Sequence, residues 1–210
     1  MTCIDSVTIE TPDPAAADAF HAAAFGPAVP VRTRASEAPT SGFRGVTLSL
    51  VVARPATVDA FVGAALAAGA TELKPARKSL WGYGGVVRSP DGTIWTVATS
   101  AKKDRGPATR EIDEFVLQLG VEDVGASKQF YVERGLEVTK SYGRKYVQFA
   151  SPSSPVTLAL YGRRALAKTA GVSPEGTGSH RIAVNGPAGS FTDPDGFTWE
   201  TRRSASVTGR

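Results

Sequence analysis

Ser89-Pro-Asp-Gly-Thr-Ile-Trp-Thr96 and Asp193-Pro-Asp-Gly-Phe-Thr-Trp-Glu200 carry Pro, Asp, Gly and Trp at the same places. Each reads as a turn and a return strand. Pro presets φ, Asp bonds back to its local backbone, and Gly takes the strained position, so the Trp falls on the strand that follows. A second pair of segments echoes earlier in the chain: Pro12-Asp13-Pro-Ala-Ala-Ala-Asp-Ala-Phe20-His21 and Glu122-Asp123-Val-Gly-Ala-Ser-Lys-Gln-Phe130-Tyr131. A chain that repeats both its opening and its closing element reads as two copies of one unit, and that repeat governs the fold.

The segments between follow from periodicity. Residues 4–11 alternate, with Val7 and Ile9 on one face and Ser6, Thr8 and Glu10 on the other, the period of a half-buried strand. Asp13-Pro14 reads as N-cap and first helical residue, and Gly26 stops the Ala-rich helix. Turn residues dominate 38–45, and 46–52 reads as a strand. Val58, Phe61, Val62, Ala65 and Leu66 form a helical stripe ended by Gly69. Residues 81–85 read as a loop. The second half restarts with Phe115, Leu117, Leu119 and Val121 on one strand face and Glu114, Val116, Gln118 and Gly120 on the other. A helix to Gly135 follows, then strands over 136–141, 145–150 and 156–161 and a short helix over 163–170. Residues 176–178 read as loop, 181–184 as a short strand, and 189–200 as the closing hairpin. The halves are trimmed differently. The first has few residues for strands between its first helix and 46–52, and the second lacks a counterpart of the 57–68 helix.

This order predicts an α+β fold of tandem modules, with mixed, mostly antiparallel sheets, helices on one face and a pocket on the other. The expected division is a first domain over 1–100, a polar linker over 101–110, a second domain over 111–203 and a tail over 204–210.

Bulk composition narrows the function. Hydrophobic content of 41% and charged content of 21% are those of a globular chain. The net charge of +4 comes with no basic face; the densest cluster, Lys102-Lys103-Asp-Arg105, lies in the linker, so no nucleic-acid partner is expected. The longest weakly polar stretch, 58–70, is too short to span a bilayer. A lone cysteine, Cys3, and a start without a basic, then apolar leader give the expectation of a cytoplasmic protein, monomer or homodimer. The two histidines leave no Ser-His-Asp, Cys-His or His-Glu-x-x-His spacing, and Gly82-Tyr-Gly-Gly85 does not open a helix as a dinucleotide loop does.

Taken together, the helix-entry Asp, the Phe-Tyr near the helix end and the closing Asp-Pro-Asp-Gly-x-x-Trp-Glu resemble the vicinal oxygen chelate superfamily, the group of glyoxalase I, extradiol dioxygenases, fosfomycin-resistance enzymes and bleomycin-binding proteins. The resemblance covers nearly the whole chain, with the second half the closer fit. It implies paired βαβββ modules whose sheets wrap a pocket. Where chemistry occurs, it implies a divalent metal held by His, Gln or Glu from a first strand, a middle strand and a last strand.

Placed on this sequence, those positions are poor in ligands. In the first half they fall on Ser6, Gly45 or Thr47, and Thr96, none of which suits a mid-row divalent metal. In the second half, Val116 stands at the first position, with Gln118 and Glu114 two residues to either side, each ~7 Å away along the strand. Only His180 and Glu200 remain as metal candidates. His180 has a structural alternative, since it shares a strand face with Ile182 and Val184. His21, Trp95 and Trp199 read as packing residues.

Two functions follow. The first is binding of a small organic molecule, with no cofactor and no metal catalysis, in a pocket lined by Ser6, Thr8, Glu10, Glu114, Gln118, Tyr146 and Tyr161, with Trp81 and Tyr83 as further aromatic walls. The second is a metal-dependent lyase or dioxygenase that uses His180 and Glu200 with Gln118 or Glu114. A third reading is an interaction module whose pocket is filled by its own side chains.

Overall fold

The computed structural model describes residues 3–80, 82–104, 106–150 and 153–201. The chain opens with β1 (Ser6–Thr11), α1 (Pro14–Phe25), β2 (Val31–Ala35) and β3 (Thr40–Gly42). A complete strand–helix–three-strand unit follows: β4 (Val46–Val51), α2 (Pro55–Ala67), β5 (Thr71–Ser79), β6 (Gly82–Arg88) and β7 (Ile94–Thr99). The second complete unit is β8 (Glu114–Val121), α3 (Val124–Glu133), β9 (Val138–Ser141), β10 (Tyr146–Phe149) and β11 (Thr157–Gly162). Last come α4 (Arg163–Ala170), β12 (Gly176–Gly178), β13 (Ile182–Asn185), β14 (Phe191–Thr192) and β15 (Thr198–Glu200).

The two complete units share an eight-stranded sheet in the order β5-β6-β7-β4-β8-β11-β10-β9. In each, the first strand runs parallel to the last, β4 to β7 and β8 to β11. The units join through antiparallel β4 and β8, with Leu48 opposite Leu117. A five-stranded sheet, β14-β15-β13-β1-β2, repeats the scheme in shortened form. There β1 is parallel to β2, β13 is parallel to β15, and the join is antiparallel β1 on β13, with Val7 opposite Val184. Both sheets therefore draw strands from both halves of the sequence. Short β3 and β12 pair separately.

Alternation along the strands explains the packing. Val7, Ile9 and Val184 from one sheet and Leu48, Leu50, Leu117, Leu119, Leu158 and Leu160 from the other are buried in one continuous core. Phe20 and Phe25 of α1, Phe61 of α2 and Tyr131 of α3 complete it. Asp13 and Asp123 cap their helices as the sequence predicts, each carboxylate accepting backbone N–H bonds, from Ala16 and from Gly125 and Ala126. Of the α2 stripe, Val58, Phe61, Val62 and Ala65 are buried, while Leu66 is exposed at the end of the helix.

Helix α4 lies on the other face of the eight-stranded sheet. Its Leu166, Ala167 and Ala170 pack with Phe43, Val86 and Ile94 in a separate cluster. Gly120 makes this approach possible: a Cβ there would stand 3.1 Å from the Arg163 Cα. Gly171, left-handed at φ 78°, ends the helix.

The α+β expectation holds, with four described helices and mixed sheets. Local readings differ at the glycines. Residues 82–85, read as a loop, begin β6, because Gly85 lets the backbone pass close beneath Ala76 and the Val62 side chain. Residues 176–178, also read as loop, pair with β3. Strands β2 and β5 carry no apolar alternation, since each is a sheet edge. Arg105 of the linker and the tail over 204–210 lie outside the described residues. Among the described residues no helix is long and apolar enough to cross a membrane.

Candidate functional site

The polar faces of the two sheets form two separate clefts, and the sequence-predicted residues divide between them. Ser6, Thr8 and Glu10 lie on the five-stranded sheet, whereas Glu114, Gln118, Tyr146 and Tyr161 lie on the eight-stranded one. They do not line one pocket.

The cleft on the five-stranded sheet encloses about 820 Å³, lined among others by Thr8, Arg32, Arg34, Asn185, Thr198 and Glu200. Register places Ser6 opposite Asn185 and Asn185 beside Glu200. The Asn185 carboxamide oxygen accepts from the Thr8 hydroxyl at 2.7 Å and the Ser6 hydroxyl at 3.3 Å. Arg34 donates from Nη1 and Nη2 to the two Glu200 oxygens, 2.9 Å each, and from Nη2 to Glu10 Oε1 at 2.5 Å. This double clasp pushes the Arg34 guanidinium even further above its ordinary range, Glu200 contributing first and Glu10 second.

On the eight-stranded sheet the side chains mainly bind one another. Thr47 donates to Gln118 at 2.7 Å, and Gln118 stands 3.5 Å from the Tyr161 hydroxyl. Tyr146 donates to Gln148 at 2.8 Å, and Gln148 donates to Glu114 at 3.2 Å. Thr157 donates to the same Glu114 oxygen at 2.6 Å. The Tyr146 and Tyr161 rings meet edge-on, centroids 4.9 Å apart. Burial raises both phenols above their usual range, so they act as neutral hydroxyls. Tyr83 points to the helix side, donating to Asp59 of α2 at 2.8 Å. Trp81 lies outside the described residues.

A divalent metal of the kind the resemblance implies does not fit the donors present. Both Glu200 oxygens are taken by Arg34. His180 Nδ1 faces the Arg44 carbonyl at 2.5 Å, Nε2 faces the Asp195 carbonyl at 3.0 Å, and the ring stacks on Phe197 at 4.0 Å. The histidine thus bridges two loops, with both ring nitrogens directed at backbone carbonyls and neither at open space. Across the eight-stranded sheet the register aligns Thr96, Ser49, Val116 and Thr157, which offer hydroxyls and an isopropyl group. Among the described residues no three His, Cys, Asp or Glu side chains converge as a metal-holding group.

Sequence reasoning missed Arg34 and Asn185. Arg32 and Arg34 alternate with Val31 and Thr33, but the run is too short and polar to read as a strand. Asn185 follows Ala183 at the spacing of two that returns a side chain to the same face.

Two mixed sheets of paired strand–helix–strand units, with helices on their apolar faces and clefts on their polar faces, are the fold seen in solved glyoxalase I structures. Glyoxalase I from Zea mays superposes with a TM-score of 0.62 at 13% identity, over 96% of this chain and 92% of its own. A Bacillus subtilis protein named for a dioxygenase activity gives 0.54 at 13% identity, over 87% of this chain and 69% of its own. No family model matches the sequence, and no curated protein matches it.

Proposed function

We propose that the chain binds a small organic molecule in the cleft of the five-stranded sheet, and that it does so without metal-assisted chemistry. The observation that carries this reading is the convergence of Thr8, Arg32, Arg34, Asn185 and Glu200 on about 820 Å³ of open space. A volume of that order suits an organic ligand, and a few fixed polar groups suffice to orient it. The other cleft is partly closed by α4. A metal-dependent lyase or dioxygenase has less support, because Arg34 and backbone carbonyls already engage Glu200 and His180. Doubling of an ancestral unit is the accompanying proposal, supported by the repeated closing segments and the shared strand order of the two complete units.

A thermal-shift screen of small organic compounds tests this, run on the wild type and on Thr198→Trp. Thr198 is exposed in the cleft, so the indole fills space without touching the core. Compounds that stabilise the wild type are expected to lose their effect in the variant. Compounds that stabilise both proteins equally would place binding elsewhere and overturn the reading.

A further inference from the structure

The eight-stranded sheet holds a second cavity, about 340 Å³, between α4 and strands β4 to β8. Its walls include Lys74, Arg77, Ser49, Thr96, Gln118 and Thr169, and they contain no carboxylate.

The two cations share this face because β5 is bulged. In a regular strand, residues three apart point to opposite sides. Here Lys74 pairs with Val86 and Arg77 pairs with Gly84, so three steps on β5 match two on β6. The extra residue, in a stretch holding Pro75, turns both side chains toward the cavity. Val86 belongs to the cluster under α4, which identifies the face. Opposite Arg77 stands Gly84, which carries no side chain to fill the space.

The cations are not neutralised. Lys74 donates to the carbonyls of Lys168 at 2.6 Å and Thr169 at 2.7 Å, so two of its three donors hold the end of α4 and one is left. Burial, then Arg77, then Lys168 push its ammonium below the usual range. Arg77 makes no ion pair among the described residues. Between them and the sheet, Ser49 is 5% exposed, and its hydroxyl has no hydrogen-bond partner among the described residues. Its neighbour across the ladder, Thr96, is likewise unpartnered there. Arg77 is exposed and Lys74 and Thr96 are half-buried, so these groups face the open cavity, and an anionic ligand would pair with both cations while giving the hydroxyls a partner.

We propose that this cavity is a binding site for a small organic anion. Its carboxylate or phosphate head sits between Arg77 and Lys74, and its polar body rests on Ser49 and Thr96. The site is distinct from the cleft of the five-stranded sheet and stands or falls separately.

The test is titration of the full chain with inorganic phosphate and, separately, with succinate, at low salt, followed by amide chemical shifts. At least one probe is expected to saturate, with the largest shifts at Ser49, Thr96 and Arg77. Arg77→Gln should weaken it at least about fivefold and Ser49→Ala about threefold, as loss of a charged and of a neutral hydrogen bond predict. Arg32→Gln, in the other cleft, should leave it unchanged. Saturation by phosphate alone or by succinate alone assigns the head group. The proposal is overturned if neither probe saturates, if the shifts lie away from Ser49 and Thr96, or if Arg77→Gln and Ser49→Ala bind as the wild type does. Neither variant removes a core side chain, and an unchanged melting temperature verifies the fold of each.

Discussion

Arg34 and Glu200 meet through two parallel bonds of 2.9 Å each, and the same guanidinium holds Glu10 at 2.5 Å. One organic cation thus sits between two carboxylates, in the part of the fold where the resemblance implies a metal. Removing it should expose the latent site. Arg34→Ala and Arg34→Gln are expected to gain a Mn²⁺ site with a dissociation constant on the order of 0.1–1 mM, the range of weak oxygen-ligand sites. Arg34→Lys, which keeps a cation, should gain none. Calorimetric titration measures this. A wild type that binds Mn²⁺ as well as the neutral variants do would refute the role given to Arg34. Its side chain is 43% exposed, so truncation leaves the core intact.

The two halves solve one packing problem differently. Trp199 donates its indole N–H to the Tyr131 hydroxyl at 3.2 Å, and that hydroxyl bonds Asp193 at 2.5 Å. His21 and Trp95 repeat the ring arrangement with centroids 5.4 Å apart, as Tyr131 and Trp199 do. The hydroxyl is missing, however, and His21 Nε2, Asp91 Oδ2 and Trp95 Nε1 are buried without a hydrogen-bond partner among the described residues. His21 Nε2 stands 3.8 Å from Asp91 Oδ2. His21→Tyr should supply the absent hydroxyl and stabilise the protein by about 1 kcal/mol, raising the melting temperature by roughly 2–4 °C. A fall in melting temperature would mean that the larger ring overpacks the site and that no hydroxyl-sized gap exists.

Acid should act on the same residue. Burial holds the His21 imidazole below its ordinary 6.5, against an opposing pull from Asp91 and then Asp18. The unfolded chain therefore takes up this proton first as pH falls, so the folded state is favoured above about pH 6.5 and loses stability below it. Urea midpoints measured between about pH 7 and 5 should fall for the wild type by more than for His21→Tyr. The comparison isolates His21, because the two proteins share every other side chain. Parallel midpoint curves would remove His21 as the cause.

Much of the fold was legible because its signals are local. Asp13 and Asp123 announce their helices through chemistry confined to one turn, and Val7/Ile9 or Leu117/Leu119 announce a buried face through a period of two. Edge strands give no such signal, which is why β2 and β5 escaped and why the bulge beside Pro75 was invisible. The pocket was misdrawn for a topological reason. Ser6 and Gln118 each face a cleft, but β1 pairs with β13 and β8 with β4, so no reading of single strands could tell that the clefts are different. Arg34 was missed because its meaning comes from Glu200, 166 residues away in sequence.

The closure of the second cleft rests on a single hydrogen atom at position 120. A Cβ there would lie 3.1 Å from the Arg163 Cα, 3.2 Å from the Gly45 carbonyl oxygen and 3.3 Å from Leu166 Cδ2. Two of these three neighbours are backbone, so they cannot yield by rotating a side chain. Gly120→Ala should therefore push α4 away from β8, costing about 1–3 kcal/mol as overpacking does. The loss should show in the urea midpoint with faster hydrogen exchange over Arg163–Ala170, whereas exchange in β1 and β13, on the other sheet, keeps its wild-type order. Equal acceleration across both sheets would show that α4 is not a separable cover on the eight-stranded sheet.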